Sequence, residues 1–206
     1  MKISMAAAAV AALVSVSTGA PYALSQTAAP TLDSVKAGSY KVESYHTQVG
    51  FSLSHFGFTN YAGLFSGATG SLLLDPAHLT AAKLDVSIPV QSIETTVPKL
   101  TEELKGAQWF DTEKFPSATF TSTTVVAGSN GDATITGNLT LHGVTRPVVL
   151  HAHFIGAGVN PIDKAYTVGF EATTTIKRSE FGVTTYVPAV GDDVRLTIAG
   201  AFERQG

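Results

Sequence analysis

Six histidines and a pair of adjacent aspartates are the residues with which this chain could do chemistry, since it has no cysteine. His151-Ala152-His153 has the most metal-like spacing, because residues two apart on a strand project from the same face and would bring two imidazoles together. The pair alternates with Leu150, Ala152 and Phe154, however, which assigns it to the solvated face of a strand. Two ligands without an acidic or histidine partner nearby do not define a metal site. His46, in Glu43-Ser44-Tyr45-His46-Thr47, and His55, in His55-Phe56-Gly57-Phe58, lie near strand ends, where an imidazole more often ties loops together than touches a ligand. His46 is kept as a candidate ligand contact and, beside Glu43, as the candidate acid or base should the protein be an enzyme.

Nucleophilic chemistry finds little support. There is no Gly-x-Ser-x-Gly elbow, and Ser66 in Gly63-Leu64-Phe65-Ser66-Gly67 has the wrong glycine spacing. Asp192-Asp193 sits beside Gly191, and adjacent residues on an extended chain point apart, so a solvated turn explains them. No glycine-rich loop opens a helix, which removes nucleotide binding of that kind. Without cysteine there are no disulfides, thiolate metal sites or cysteine catalysis. The expectation is a protein that is not an enzyme, with no catalytic residue, no metal and no required cofactor.

Aromatic and apolar residues are what remain. The chain has eleven Phe, six Tyr and one Trp; 44% of it is hydrophobic and only 14% is charged, more apolar material than one ordinary core needs and a hint of a second, lined interior. Phe51, Leu53, Phe56, Phe58, Phe65, Trp109, Phe110, Phe120 and Phe181 are the candidate contacts for an apolar ligand. Phe56, Phe58, Phe65, Trp109 and Phe110 fall in loops and strand ends, together with Tyr61, where they would suit the mouth or lid of a cavity. The net charge is only −3 and the thirteen Lys and Arg residues form no basic run, which argues against nucleic acid as a partner.

The elements that must position these residues read mostly as strands. Met1-Lys2 followed by a short apolar run and Ala23-Leu24-Ser25 has the character of a secretory signal, residues 1–25, cleaved to leave a periplasmic protein. A loose arm rich in Ala, Pro, Thr and Ser is expected over 26–39, and one folded domain over 40–206. Period-two alternation appears in Val49 to His55, in Leu84 to Val90, in Val148 to Phe154, in Val168 to Ile176 and in Val194 to Ile198. Asp75-Pro76, the Gly128 to Asp132 stretch with its Asn130-Gly131 pair, and Asn160-Pro161 mark turns. Pro98 to Lys105 alone reads as a helix, with Leu100 and Leu104 on one face and Gly106 as its stop. Seven or eight strands with one short helix give an all-β antiparallel barrel or sandwich, between which periodicity does not choose.

A set of motifs chooses. The segment Gly137 to Leu150, with His142-Gly143-Val144-Thr145-Arg146-Pro147 at its centre, is preceded by Trp109-Phe110-Asp111 and Phe115-Pro116, and followed by Arg178-Ser179-Glu180-Phe181-Gly182-Val183 and Val190-Gly191-Asp192-Asp193-Val194. In this order they resemble the YceI-like family of secreted bacterial lipid-binding proteins, from about Tyr40 to Phe202. Glu43 and Thr47 stand where the family more commonly has Asp and Ser. The resemblance implies a lipocalin-like, eight-stranded antiparallel β-barrel that binds, stores or transports a long-chain isoprenoid lipid, polyprenyl or isoprenoid quinone, in an apolar pore. It also implies a homodimer as in many members, and a membrane as donor of the quinone or lipid. Arg178, matching the basic residue of the family's Arg-x-x-Phe-Gly motif, is the first candidate for a head-group contact at the pore rim, and Arg146 a weaker one. An enzyme or stress-response protein acting on isoprenoid or fatty-acyl lipids is the alternative.

Overall fold

The computed structural model describes residues 31–206, and within them the alternating segments become strands. In chain order these are β1 (Gly38–Val42), β2 (Gln48–His55), β3 (Thr59–Phe65), β4 (Thr69–Leu74), β5 (Lys83–Pro89), β6 (Glu94–Thr95), the helix α1 (Pro98–Lys105), β7 (Ser117–Ala127), β8 (Asp132–Leu141), β9 (Val144–Val159), β10 (Tyr166–Lys177) and β11 (Asp193–Arg204). The signal segment 1–25 expected from sequence, and the first part of the arm, lie outside the described residues. No helix among the described residues is long and apolar enough to cross a membrane.

Every strand pairs antiparallel with its neighbours, in the order β1-β4-β5-β7-β8-β9-β10-β11, and β11 returns to β1 through Tyr40↔Arg204, Lys41↔Glu203 and Val42↔Phe202. That closes an eight-membered barrel, as expected. The strand segments number eleven rather than seven or eight, because β2, β3 and β6 continue outward from β11 as a second tier. β11 serves both tiers. Its first half pairs with β2 from Arg195↔Ser52 to Ala199↔Gln48, its second half with β1. The step between them is the Glu43 to Thr47 turn, fastened at Ala201: the Glu43 N–H donates to its carbonyl at 2.9 Å, and the Thr47 hydroxyl accepts from its N–H at 3.0 Å.

Turn chemistry fixes the hairpins where the sequence placed glycine. His142 and Gly143 (φ 51° and 76°) form the two-residue loop between β8 and β9, whose flanking pair is Leu141↔Val144. Asn130 and Gly131 (φ 56° and 84°) turn β7 into β8. The helix spans Pro98–Lys105, with Pro at its start, Leu104 buried and Gly106 beyond its end.

The arm expected to be loose is docked in the part that the structure describes. A 3₁₀ turn at Leu32–Ser34 leads to buried Val35, the Ser34 carbonyl accepts a 2.9 Å bond from the Tyr166 hydroxyl, and Arg204 donates to the Ala37 carbonyl. Apolar Leu32 and Val35 on the barrel end outweigh the loop-like composition around them.

Two apolar clusters gather the buried side chains. One gathers Phe51, Ile93, Leu104, Trp109, Phe120, Phe181 and Val183, with Phe65 and Phe110 against them. The other gathers Val35, Tyr40, Leu72, Leu74, Phe154, Val168 and Phe202. The ladder between β9 and β10 runs from Tyr166↔Val159 to Thr173↔His151 and goes no further, although β9 begins at Val144 and β10 continues to Lys177.

Candidate functional site

The inward faces of the ring enclose a cavity of about 200 Å³. Small residues make the room. Ala133, Ala152 and Ala172 lie side by side across β8, β9 and β10, in the registers Ala133↔Ala152 and Ala172↔Ala152, and all three line the space. Around them the wall is aliphatic and aromatic: Val42, Leu72, Leu74, Val86, Leu150, Phe154, Phe170, Leu196 and Phe202. The charged residues that border it, Lys83, Asp132 and Glu171, are exposed, and the Thr47 hydroxyl is held by Ala201. Such a wall offers no proton transfer and no nucleophile. It offers burial, worth ~0.8 kcal/mol for each CH₂ taken out of water.

The opposite end is closed by aromatic packing. Phe65 meets Phe51 at 5.5 Å and Phe110 edge-on at 5.7 Å between ring centres. Glycines let the rings lie against the sheet: a Cβ on Gly63 would fall 2.4 Å from the Phe51 ring, and one on Gly137 would fall 2.3 Å from the Phe120 ring. Phe120 belongs to this cluster and also borders the cavity.

Of the residues named from sequence, Phe120 is the one that lines the cavity. Phe51, Leu53, Phe65, Trp109, Phe110 and Phe181 are brought together in the closed end, where they fill a core instead of edging a mouth. Phe56 and Phe58 stand in the β2–β3 turn, 49% and 86% exposed. The His46 ring is also exposed, with Nδ1 2.7 Å from Glu43, and it does not reach the cavity wall. The wall residues Val148, Leu150, Phe154, Phe170 and Leu196 were visible in the sequence as one face of the alternating strands. The missed signal was that a strand residue facing a hollow looks the same as one facing a core.

Arg178 does not stand at a rim. It is 5% exposed, and its guanidinium donates to the carbonyls of Gly191, Val183 and Val190 at 2.8, 2.9 and 2.8 Å while lying 5.5 Å from the centre of the Trp109 ring. Burial pulls its pKa down from the usual arginine value, and the nearby Asp192 charge opposes that shift. Asp192 in turn accepts bonds from the Ser179 N–H at 2.9 Å and hydroxyl at 2.8 Å. Burial pushes its carboxyl upward, but those bonds and the Lys177 and Arg178 charges outweigh burial and hold it below the ordinary value. Glu43 follows the same pattern. Burial raises it, while bonds from the Tyr45 N–H and from the His46 ring and N–H bring it below the usual carboxylate value.

These contacts show what the sequence motifs have in common. His142 Nδ1 donates to the Phe181 carbonyl across 3.1 Å, its ring lies tilted against Phe115 with centres 4.5 Å apart, and Trp109 sits beside Arg178. The Trp-Phe-Asp, His-Gly and Arg-Ser-Glu-Phe-Gly segments therefore meet in one place, the closed end of the barrel. A model of the YceI-like domain matches residues 40–202.

The chain belongs to the YceI-like family. Relatives include a UPF0312 protein of Shewanella baltica, 39% identical over 68% of this chain and 73% of that protein, and a UPF0312 protein of Pectobacterium atrosepticum, 38% identical over 84% and 90%. Among solved structures, the Campylobacter jejuni YCEI protein is 29% identical with a TM-score of 0.66, covering 74% of this chain and 90% of that one. A polyisoprenoid binding domain from Saccharophagus degradans shares the fold at 14% identity, with a TM-score of 0.61 over 82% of this chain and 100% of that one. In this YceI-like chain the residues carrying the resemblance build the plug, and those facing the cavity are ordinary strand residues. Among the described residues no cluster of three His, Cys, Asp or Glu could hold a metal; His153 instead pairs with Asp132 at 2.7 Å.

Proposed function

We propose that this protein binds a long-chain isoprenoid lipid, polyprenyl or isoprenoid quinone, inside its barrel, and stores or carries it in the periplasm. The observation that carries the reading is the cavity wall, apolar along its length and kept open by Ala133, Ala152 and Ala172. The family and the shared fold of a polyisoprenoid binding domain support it. Affinity for such a chain needs few polar contacts, because burial supplies most of it and a closed ring of strands is ordered before the ligand arrives. The lipid would come from a membrane, and the protein would act by sequestering it, not by chemical change.

The test is to purify the protein from its own host, extract it with organic solvent and identify the lipid by mass spectrometry, then to titrate the stripped protein with geranylgeraniol and a short-chain quinone. A stoichiometric prenyl lipid in the extract and saturable binding of either probe are expected. A well-folded protein that repeatedly yields no lipid and binds neither probe would refute the reading.

A further inference from the structure

We propose that the unpaired lower part of the β9–β10 seam is a lateral port, at which the anionic head of a long-chain amphiphile rests outside the barrel while its chain lies within. The inference rests on the lipid-binding reading above and assigns that lipid a head-group class and a way in. Beyond the last rung, Thr173↔His151, four residues of β10 run on to Lys177 without a partner in β9, a gap roughly 13 Å long at ~3.3 Å per residue.

A groove of about 650 Å³ lies over this gap. Its floor is the buried Val148, Thr174, Ile176 and Phe181, so along this stretch side chains, and no β9–β10 ladder, close the wall. The groove meets outward Arg146 and Arg195 together with inward Val148 and Thr174. Val148 and Thr174 also line the central cavity, so the two spaces share them as a wall.

Pro147 removes one donor from the far end of this seam. The residues flanking a two-residue hairpin loop exchange both hydrogen bonds, and bonded and non-bonded pairs then alternate along the ladder. Counting from Leu141↔Val144, the pair Asn138↔Pro147 is non-bonded, so the ring nitrogen of Pro147 is turned toward β10. A strand cannot be donated a bond that proline lacks the hydrogen to make, and proline is confined to such edges.

The charges select an anion. Lys177 is held by Asp193 at 2.7 Å, whereas Arg146 and Arg195 are exposed and make no ion pair among the described residues. Glu180 is the other acidic residue of the groove. Guanidinium forks match carboxylate and phosphate oxygens. The charged residues bordering the cavity itself, Lys83, Asp132 and Glu171, carry a net negative charge and would repel the same head.

The experiment compares geranylgeranyl diphosphate, palmitate and neutral geranylgeraniol on the stripped full chain and on the double variant Arg146→Gln/Arg195→Gln, with folding checked by circular dichroism. Wild type should bind at least one anionic probe more tightly than the prenol, and the double variant should lose about tenfold on that probe while prenol affinity stays unchanged. Which anionic probe responds separates a phosphate head from a carboxylate one. Glu180→Gln should shift the anionic affinity upward, a second readout independent of the arginines. If prenol binds and neither charge change alters anionic binding, the port is refuted and the lipid reading stands. If no probe binds either protein, both are refuted.

Discussion

Arg178 shows how a residue type can be recognised correctly and its work misjudged. A lone arginine after an alternating strand is a reasonable head-group contact from sequence, but two of its three carbonyl partners, Val190 and Gly191, lie more than ten residues away in the loop before β11, which no local pattern encodes. Arg178→Met should leave the Gly191, Val183 and Val190 carbonyls without their donor and cost about 3 kcal/mol, or roughly 6–12 °C in Tm, measurable by calorimetry. Ligand affinity of the folded variant should be unchanged, because Arg178 is not part of the cavity wall. Glu43 offers a pH test. Its pKa is depressed on folding, so its contribution is present above the unfolded value and is lost as pH falls through the lower folded value. Urea midpoints of wild type and Glu43→Gln should therefore differ at neutral pH and converge in acid below the ordinary value of 4.5. A difference that persists unchanged at low pH would show that charge is not what the Glu43 turn uses.

Among the elements, legibility tracked local contrast. The helix Pro98–Lys105 was readable to the residue, because Pro, two leucines four apart and a terminal Gly all act within one segment. β9, β10 and β11 were readable as alternation, although their ends ran further than the pattern. β3 and β4 were not read. Their sequences, Thr-Asn-Tyr-Ala-Gly-Leu-Phe and Thr-Gly-Ser-Leu-Leu-Leu, carry glycine and weak alternation, and their strand state is set by the neighbours they pair with. Gly137 is one glycine that a partner requires: besides the Phe120 ring, a Cβ there would fall 2.6 Å from the Thr121 carbonyl oxygen. Gly137→Ala is expected to destabilise the protein by about 1–3 kcal/mol, as overpacking does, and to push the Phe120 ring toward the cavity. Equilibrium denaturation with prenol titration checks both effects.

For the molecule as a whole, the barrel and an apolar interior were legible in the sequence, and the residues that make the room were not. Loop aromatics drew attention as a possible lid because they break strand spacing, yet Phe65, Trp109 and Phe110 pack into a plug with one another. The hollow depends instead on three alanines from three strands falling in register, a coincidence that appears only once the ring has closed. Ala152→Phe should fill that space: the fold survives with an unchanged or higher Tm, and prenol affinity falls about tenfold or more as the ring displaces buried methylenes. Unchanged affinity in that variant would place the chain somewhere other than between β8, β9 and β10.

The pairing of Tyr40–Val42 with Phe202–Arg204 has one more effect. Until those last residues reach the first strand there is no cylinder, only an open curl with its greasy face bare to water. If the barrel holds a lipid as proposed, capture waits for β11 to pair, and a deletion of β11 alone is expected to abolish retention even with every cavity-facing residue of the other strands still in place.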